Sequence, residues 1–233
     1  MDGAGATGDP ASEFLFFISF VPQRSAPGAS YTRLHVHAHA LAHVGIGVAV
    51  LLRNWTLPTS QGGPYATAAK GQLDYLLNVA PKAADGTIST RESEVQLWSD
   101  FVFMAPPFIA YYGALEGGSN GATLLQTAYD QVRLYRAVLF DQGVGLWRHI
   151  ALGSWSDPTH WATGNAWAAA GMLRVLATIK HSPEAGSMQS QQNDLAQWAG
   201  ETLTGVWKYQ VRYLLFRHCH PTLLVFLSRL SKY

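Results

Sequence analysis

Gln96-Leu97-Trp98-Ser99-Asp100-Phe101-Val102-Phe103-Met104-Ala105-Pro106-Pro107-Phe108 places one carboxylate, Asp100, between a tryptophan and a long apolar run. The run predicts a helix over 98–115, with Ser99 or Asp100 as N-cap and a kink at Pro106 and Pro107. Gly117-Gly118-Ser119-Asn120-Gly121 reads as a loop. The following 124–140 reads as an amphipathic helix, with Tyr129, Val132 and Leu139 on one side and Gln126, Asp130 and Arg133 on others. An apolar helix followed by an amphipathic one is a hairpin with an inner and an outer member.

The alternation recurs. Residues 164–180, rich in Ala and Gly, precede a polar-faced helix over 189–204. A weaker pair joins 31–52 to 65–79, where Ala69, Leu73, Leu76, Leu77 and Ala80 form a helical stripe. Pro58, Gly62, Gly63 and Pro64 are expected to break the chain between them. Strand signals are few, and 146–163 reads as irregular. Repeated helical hairpins predict an all-α toroid or solenoid.

Composition bounds the rest. The chain has 233 residues, 48% hydrophobic but only 13% charged, about half the usual charged fraction. We expect a leader over 1–30, one helical-hairpin domain over 31–205, and a basic apolar tail over 206–233. That tail reads as a non-native terminus or as a basic amphipathic helix at a membrane surface. A net charge of +1 gives no reason to expect nucleic acid as a partner. No apolar run is long enough to span a membrane, and the acidic residues before Phe14 make a poor signal peptide. The single cysteine, Cys219, excludes an intrachain disulfide and a cysteine metal site. His35, His37, His39 and His43 have ligand-like spacing but no nearby acid, so no metal or other cofactor is expected.

Three segments carry candidate chemistry. Asp100 is either a general acid/base, its pKa raised by Trp98, Phe101 and Phe103, or a plain helix cap, which would lower it. In Trp161-Ala162-Thr163-Gly164-Asn165-Ala166-Trp167, two aromatic faces bracket a turn whose Asn165 has donors and an acceptor for hydroxyls. That suits a sugar subsite, and it equally suits a packed loop with Trp167 in the core. Arg148 and His149, beside Trp147, supply a cation for an anionic substrate and a ring to orient a carboxylate or hydroxyl.

Together these segments resemble a known family. Gln96 to Phe108 is similar to the Trp-x-Asp-(Thr/Ser/Gly)-x-x-Met-x-x-Pro-Phe segment of the unsaturated glucuronyl and rhamnogalacturonyl hydrolases, glycoside hydrolase families 88 and 105. Trp161 to Trp167 resembles their Trp-x-Arg-Gly-Asn-Gly-Trp segment, and Leu146 to His149 the segment with their substrate-contacting histidine. The resemblance covers about residues 45 to 205 and implies a six-hairpin (α/α) toroid. The 233 residues accommodate three hairpins, so a partial toroid from a truncated member is expected. It also implies an oligosaccharide substrate ending in a C4=C5 unsaturated uronic acid, as found in degraded cell-wall polysaccharide. The implied reaction is hydration of that double bond by one Asp, and not the two-carboxylate scheme of most glycosidases. Asp100 takes the acid/base role, His149 contacts substrate, and Trp161 and Trp167 line the subsite. Thr163 stands where the family has Arg, and Ala166 where it has Gly; Arg148 or Arg91 is the expected replacement cation. The rival readings are an inactive carbohydrate-binding pseudo-enzyme and a helical-repeat scaffold for protein binding.

Overall fold

The computed structural model describes residues 42–210. The expected leader, His35, His37, His39, Cys219 and nearly all of the basic tail lie outside those residues, as does the His43 side chain. Three helical hairpins follow one another, after a short 3-10 turn at Ala42–Ile46. They are α1 (Gly47–Thr56) with α2 (Thr59–Asn78), α3 (Phe101–Glu116) with α4 (Gly118–Leu139), and α5 (Ala162–Lys180) with α6 (Gln189–Tyr209). The α6 helix runs past residue 205 without a break.

The break between α1 and α2 is shorter than expected. It occupies only Leu57 and Pro58, because a residue preceding proline is forced out of the helical region and Leu57 adopts ψ 153°. Gly62, Gly63 and Pro64 lie inside α2. The Pro58 carbonyl accepts from Gly62 N at 3.2 Å, which closes the first turn ahead of Pro64. The predicted stripe is the buried face: Ala69, Leu73, Leu76 and Ala80 join the core with Tyr65.

The glycine-rich loop after α3 is likewise corrected. Gly117, at φ 69° and ψ −173°, and Gly118, at φ 58°, turn the chain, and α4 begins at Gly118. A Cβ on Gly121 would lie 2.5 Å from the Gly113 carbonyl oxygen, and one on Gly113 2.8 Å from that of Gly121. These glycines serve as the contact of two crossing helices.

α3 is buried on nearly every side, as its uniform apolarity requires. Pro106 and Pro107 sit inside one continuous helix. Each lacks the N–H that would bond the carbonyl four residues back, which frees the Val102 and Phe103 oxygens. Arg174 of α5 donates Nη1 to the Phe103 oxygen at 3.2 Å. Gly171 backs onto the Val102 oxygen so closely that a Cβ there would lie 2.2 Å from it. The Gly/Ala face of α5 therefore answers the prolines of α3.

Two small antiparallel ribbons lie at the end where α3 and α5 begin. β1 (Gln96–Trp98) pairs with β4 (Ile150–Leu152) in the register Leu97 to Ala151, and β2 (Phe140–Asp141) pairs with β3 (Leu146–Trp147). The segment expected to be irregular is thus partly stranded. Among the described residues, no helix is long and apolar enough to cross a membrane.

Candidate active site

β1 delivers Trp98, Ser99 and Asp100 to the start of α3. Trp98 N donates to Thr90 Oγ1 at 3.0 Å, and Ser99 N to the His149 carbonyl at 2.9 Å. Asp100 occupies the N-cap position but does not cap: its backbone is already helical (φ −68°, ψ −23°) and its side chain makes no cap bond. A capping side chain needs an extended backbone to reach the first-turn amides. Asp100 Oδ1 is instead buried without a partner, as is the Ser99 hydroxyl. Burial raises the Asp100 pKa, because desolvation outweighs the backbone amides of Asp100 and Phe101 and the charge of His149. Asp100 is thus a buried carboxyl and does not serve as the side-chain cap that was one of its two readings.

The opposite wall is built after β4. His149 Nδ1 lies 2.9 Å from Asp157 Oδ2. Ile150 and Asp157 exchange backbone bonds in both directions, and His149 N donates to the Thr159 carbonyl at 2.8 Å. Asp157 Oδ1 accepts from Thr159 N at 3.0 Å. Hydrogen bonds from Thr159 and His149 hold the Asp157 carboxyl down at about 2. His149 lies between two tryptophans: Trp98 meets it edge-on at 5.6 Å between ring centroids, and Trp161 lies at 4.6 Å. Its Nε2 is buried and without a partner.

The site therefore gathers three buried polar atoms with unused bonding capacity: Ser99 Oγ, Asp100 Oδ1 and His149 Nε2. Native proteins leave few such atoms, and those they leave call for an explanation. Gly164 keeps the gap narrow, since a Cβ there would lie 2.4 Å from Ser99 Oγ and 3.0 Å from the Trp161 ring.

Of the residues singled out in the sequence, Asp100, His149 and Trp161 come together. Trp167 packs instead on Phe103, its ring at 4.4 Å, one turn along α3 from Asp100. Asn165 is spent elsewhere. Its Oδ1 accepts from Trp147 N at 2.7 Å, and its Nδ2 donates to the Trp147 and Trp161 carbonyls, both at 3.0 Å. It clamps β3 to the start of α5, with both Nδ2 hydrogens used and the side chain buried away from solvent. Arg148 pairs with Asp141 and Arg91 with Glu94, at 3.1 and 3.0 Å, so each expected cation already has a carboxylate partner.

The sequence reading passed over Trp155 and Asp157, and gave Ser99 only as a helix cap. Trp155 is half-exposed and meets Trp98 edge-on at 5.8 Å. Its loop is strapped down: Gln96 Nε2 donates to the Trp155 carbonyl at 2.7 Å, and Ser154 N to Glu94 at 2.6 Å. Leu152, at φ +65°, carries the backbone strain of that turn. A signal was present, because Trp155-Ser156-Asp157 repeats Trp98-Ser99-Asp100.

A separate cavity of about 540 Å³ lies at the far end of α3, lined by Leu51, Lys70, Asp74, Tyr112, Glu116 and Asn120 among others. None of the site residues borders it.

The family model of Glycosyl Hydrolase Family 88 matches residues 32–216. No curated protein matches the chain. Among solved structures, a glycoside hydrolase from family 105 of C. acetobutylicum ATCC 824 is 15% identical, with a TM-score of 0.62 over 77% of this chain and 49% of that one. A possible member of the GH105 family from Salmonella enterica serovar Paratyphi A is 19% identical, with a TM-score of 0.61 over 79% and 46%. A third, from Klebsiella pneumoniae, is 17% identical, with a TM-score of 0.59 over 78% and 45%. At these identities the likeness concerns the fold, a toroid of helical hairpins. The chain spans about half the length of those structures.

Proposed function

This chain belongs to glycosyl hydrolase family 88, and from that premise we propose that it hydrolyses oligosaccharides ending in a C4=C5 unsaturated uronic acid. Asp100, in its protonated form, gives its proton to C4. Water attacks C5 and returns a proton to the Asp100 carboxylate. The resulting hemiketal opens and releases the next sugar. One carboxyl that both gives and takes a proton is enough, so no second carboxylate is needed at the anomeric carbon.

The observation that carries this reading is the trio of unpartnered atoms at Ser99, Asp100 and His149, walled by Trp98 and Trp161. A desolvated carboxyl holds its proton to higher pH, which suits a general acid. The aromatic faces suit the apolar faces of a sugar ring. The test is loss of the ultraviolet absorbance of the conjugated double bond in an unsaturated uronyl disaccharide. The protein should bleach it and the Asp100→Asn variant should not; equal bleaching by both would sink the assignment.

A second reading, carbohydrate binding without turnover, is favoured by one group of observations. Thr163 replaces the family's arginine, and Arg91 and Arg148 are both engaged by carboxylates. Saccharide affinity with no bleaching would select it.

A further inference from the structure

We propose that Asp157 is a positioning residue that locks His149 in the Nδ1–H tautomer, so that the neutral ring accepts a hydrogen bond from a hydroxyl of the uronyl ring through Nε2. The ligand half of this inference rests on the uronyl-hydrolase reading; the tautomer half does not. Imidazole nitrogens are not interchangeable, and the bond made by one decides what the other can do. A carboxylate can only accept. Asp157 is an acceptor across the acidic and neutral range because the Thr159 hydroxyl and amide and His149 hold its carboxyl low. With Oδ2 at 2.9 Å from Nδ1, that nitrogen must carry the hydrogen.

The surroundings hold both partners in place. His149 is pinned at its backbone by Ser99 and Thr159, and Asp157 by the reciprocal bonds with Ile150. The ring cannot turn freely between Trp98 and Trp161. In the neutral ring Nε2 is then a lone pair, buried and without a protein partner. It is close enough to Asp100 for a charge on His149 to act on that carboxyl. A bare lone pair selects an O–H donor and repels a carboxylate oxygen. Of the two groups His149 could orient, hydroxyl or carboxylate, the geometry selects the hydroxyl.

The test is the two-bond nitrogen–proton spectrum of the ¹⁵N-labelled protein at a pH where its histidines are neutral. Nδ1 should give a pyrrole-type signal and Nε2 a pyridine-type one. Asp157→Ala removes the acceptor and should exchange the two types, whereas Asp157→Asn retains a carbonyl acceptor and should leave them as they are. A pyrrole-type Nε2 in the unaltered protein overturns the inference without recourse to any variant, and so does an unchanged pattern in Asp157→Ala. Adding an unsaturated uronyl disaccharide to Asp100→Asn should shift Nε2 while leaving it pyridine-type. Conversion of Nε2 to pyrrole type would overturn the hydroxyl assignment. The expected tautomer with no response to the disaccharide would instead overturn the ligand half together with the hydrolase reading.

Discussion

Trp98-Ser99-Asp100 and Trp155-Ser156-Asp157 are the same three residues in opposite circumstances. Their tryptophans meet edge to face, and their aspartates face one histidine. Asp100 opens a buried helix with a helical backbone and an unpartnered Oδ1, and its pKa rises. Asp157 sits in an exposed loop with bonds from Thr159 and His149, and its pKa falls to about 2. Identical local sequence thus gives one carboxyl whose pKa is raised and one whose pKa is lowered. Environments that drive two carboxyls apart are how a site divides acid and anchoring roles.

The largest effect should come from removing the starved carboxyl. Asp100→Asn should lower bleaching of an unsaturated uronyl disaccharide by roughly 10²–10⁴-fold, the usual worth of a general acid/base. The same variant should raise the melting temperature at neutral pH. A carboxyl with a raised folded-state pKa imposes no cost below its unfolded pKa and destabilises as pH rises through the folded one. A variant that is less stable and fully active would dissolve the contrast.

Next comes the saturated carboxyl. Asp157→Ala removes the bond that orients the His149 ring and should reduce turnover roughly 10–100-fold. Its pH signature has the opposite sign to that of Asp100. A depressed pKa contributes stability above the unfolded value that is lost as pH falls from about 4 toward about 2. Acid unfolding monitored by circular dichroism should therefore be flatter in Asp157→Ala over that window.

Gly171→Ala tests the packing that brings the two tripeptides together. Its Cβ would lie 2.2 Å from the Val102 oxygen, so α5 must shift from α3 at a cost of about 1–3 kcal/mol. Chemical denaturation should show that loss. The smallest effect is expected at Trp155, whose half-exposed ring borders the site from outside. Trp155→Ala should weaken saccharide binding several-fold with little change in melting temperature, as calorimetry would report.

The sequence showed the hairpins because helical stripes are local: Ala69, Leu73 and Leu76 are buried as their spacing implies. Where glycine was read as a breaker, the reading held at Gly117 and Gly118, both at positive φ, and failed at Gly121, since a glycine that admits a crossing helix looks the same as one that turns a chain. The pairing of Gln96–Trp98 with Ile150–Leu152 was illegible because strands of three residues carry no period and their partners are far apart. The same holds for the site. Asp100 was visible as a charge in an apolar run. Asn165 was not visible as a clamp, because its partners in β3 lie 18 residues earlier. Asp157 was hidden because only the fold brings its carboxylate to Nδ1 of His149.

The contrast itself can be measured directly by following the aspartate carboxyl carbons by NMR as pH is lowered. Asp100 should titrate above the ordinary value of 3.8 and Asp157 at about 2. An Asp100 carboxyl that titrates at or below the ordinary value would show an ionised helix-start residue, and the account of it as the proton donor would be wrong.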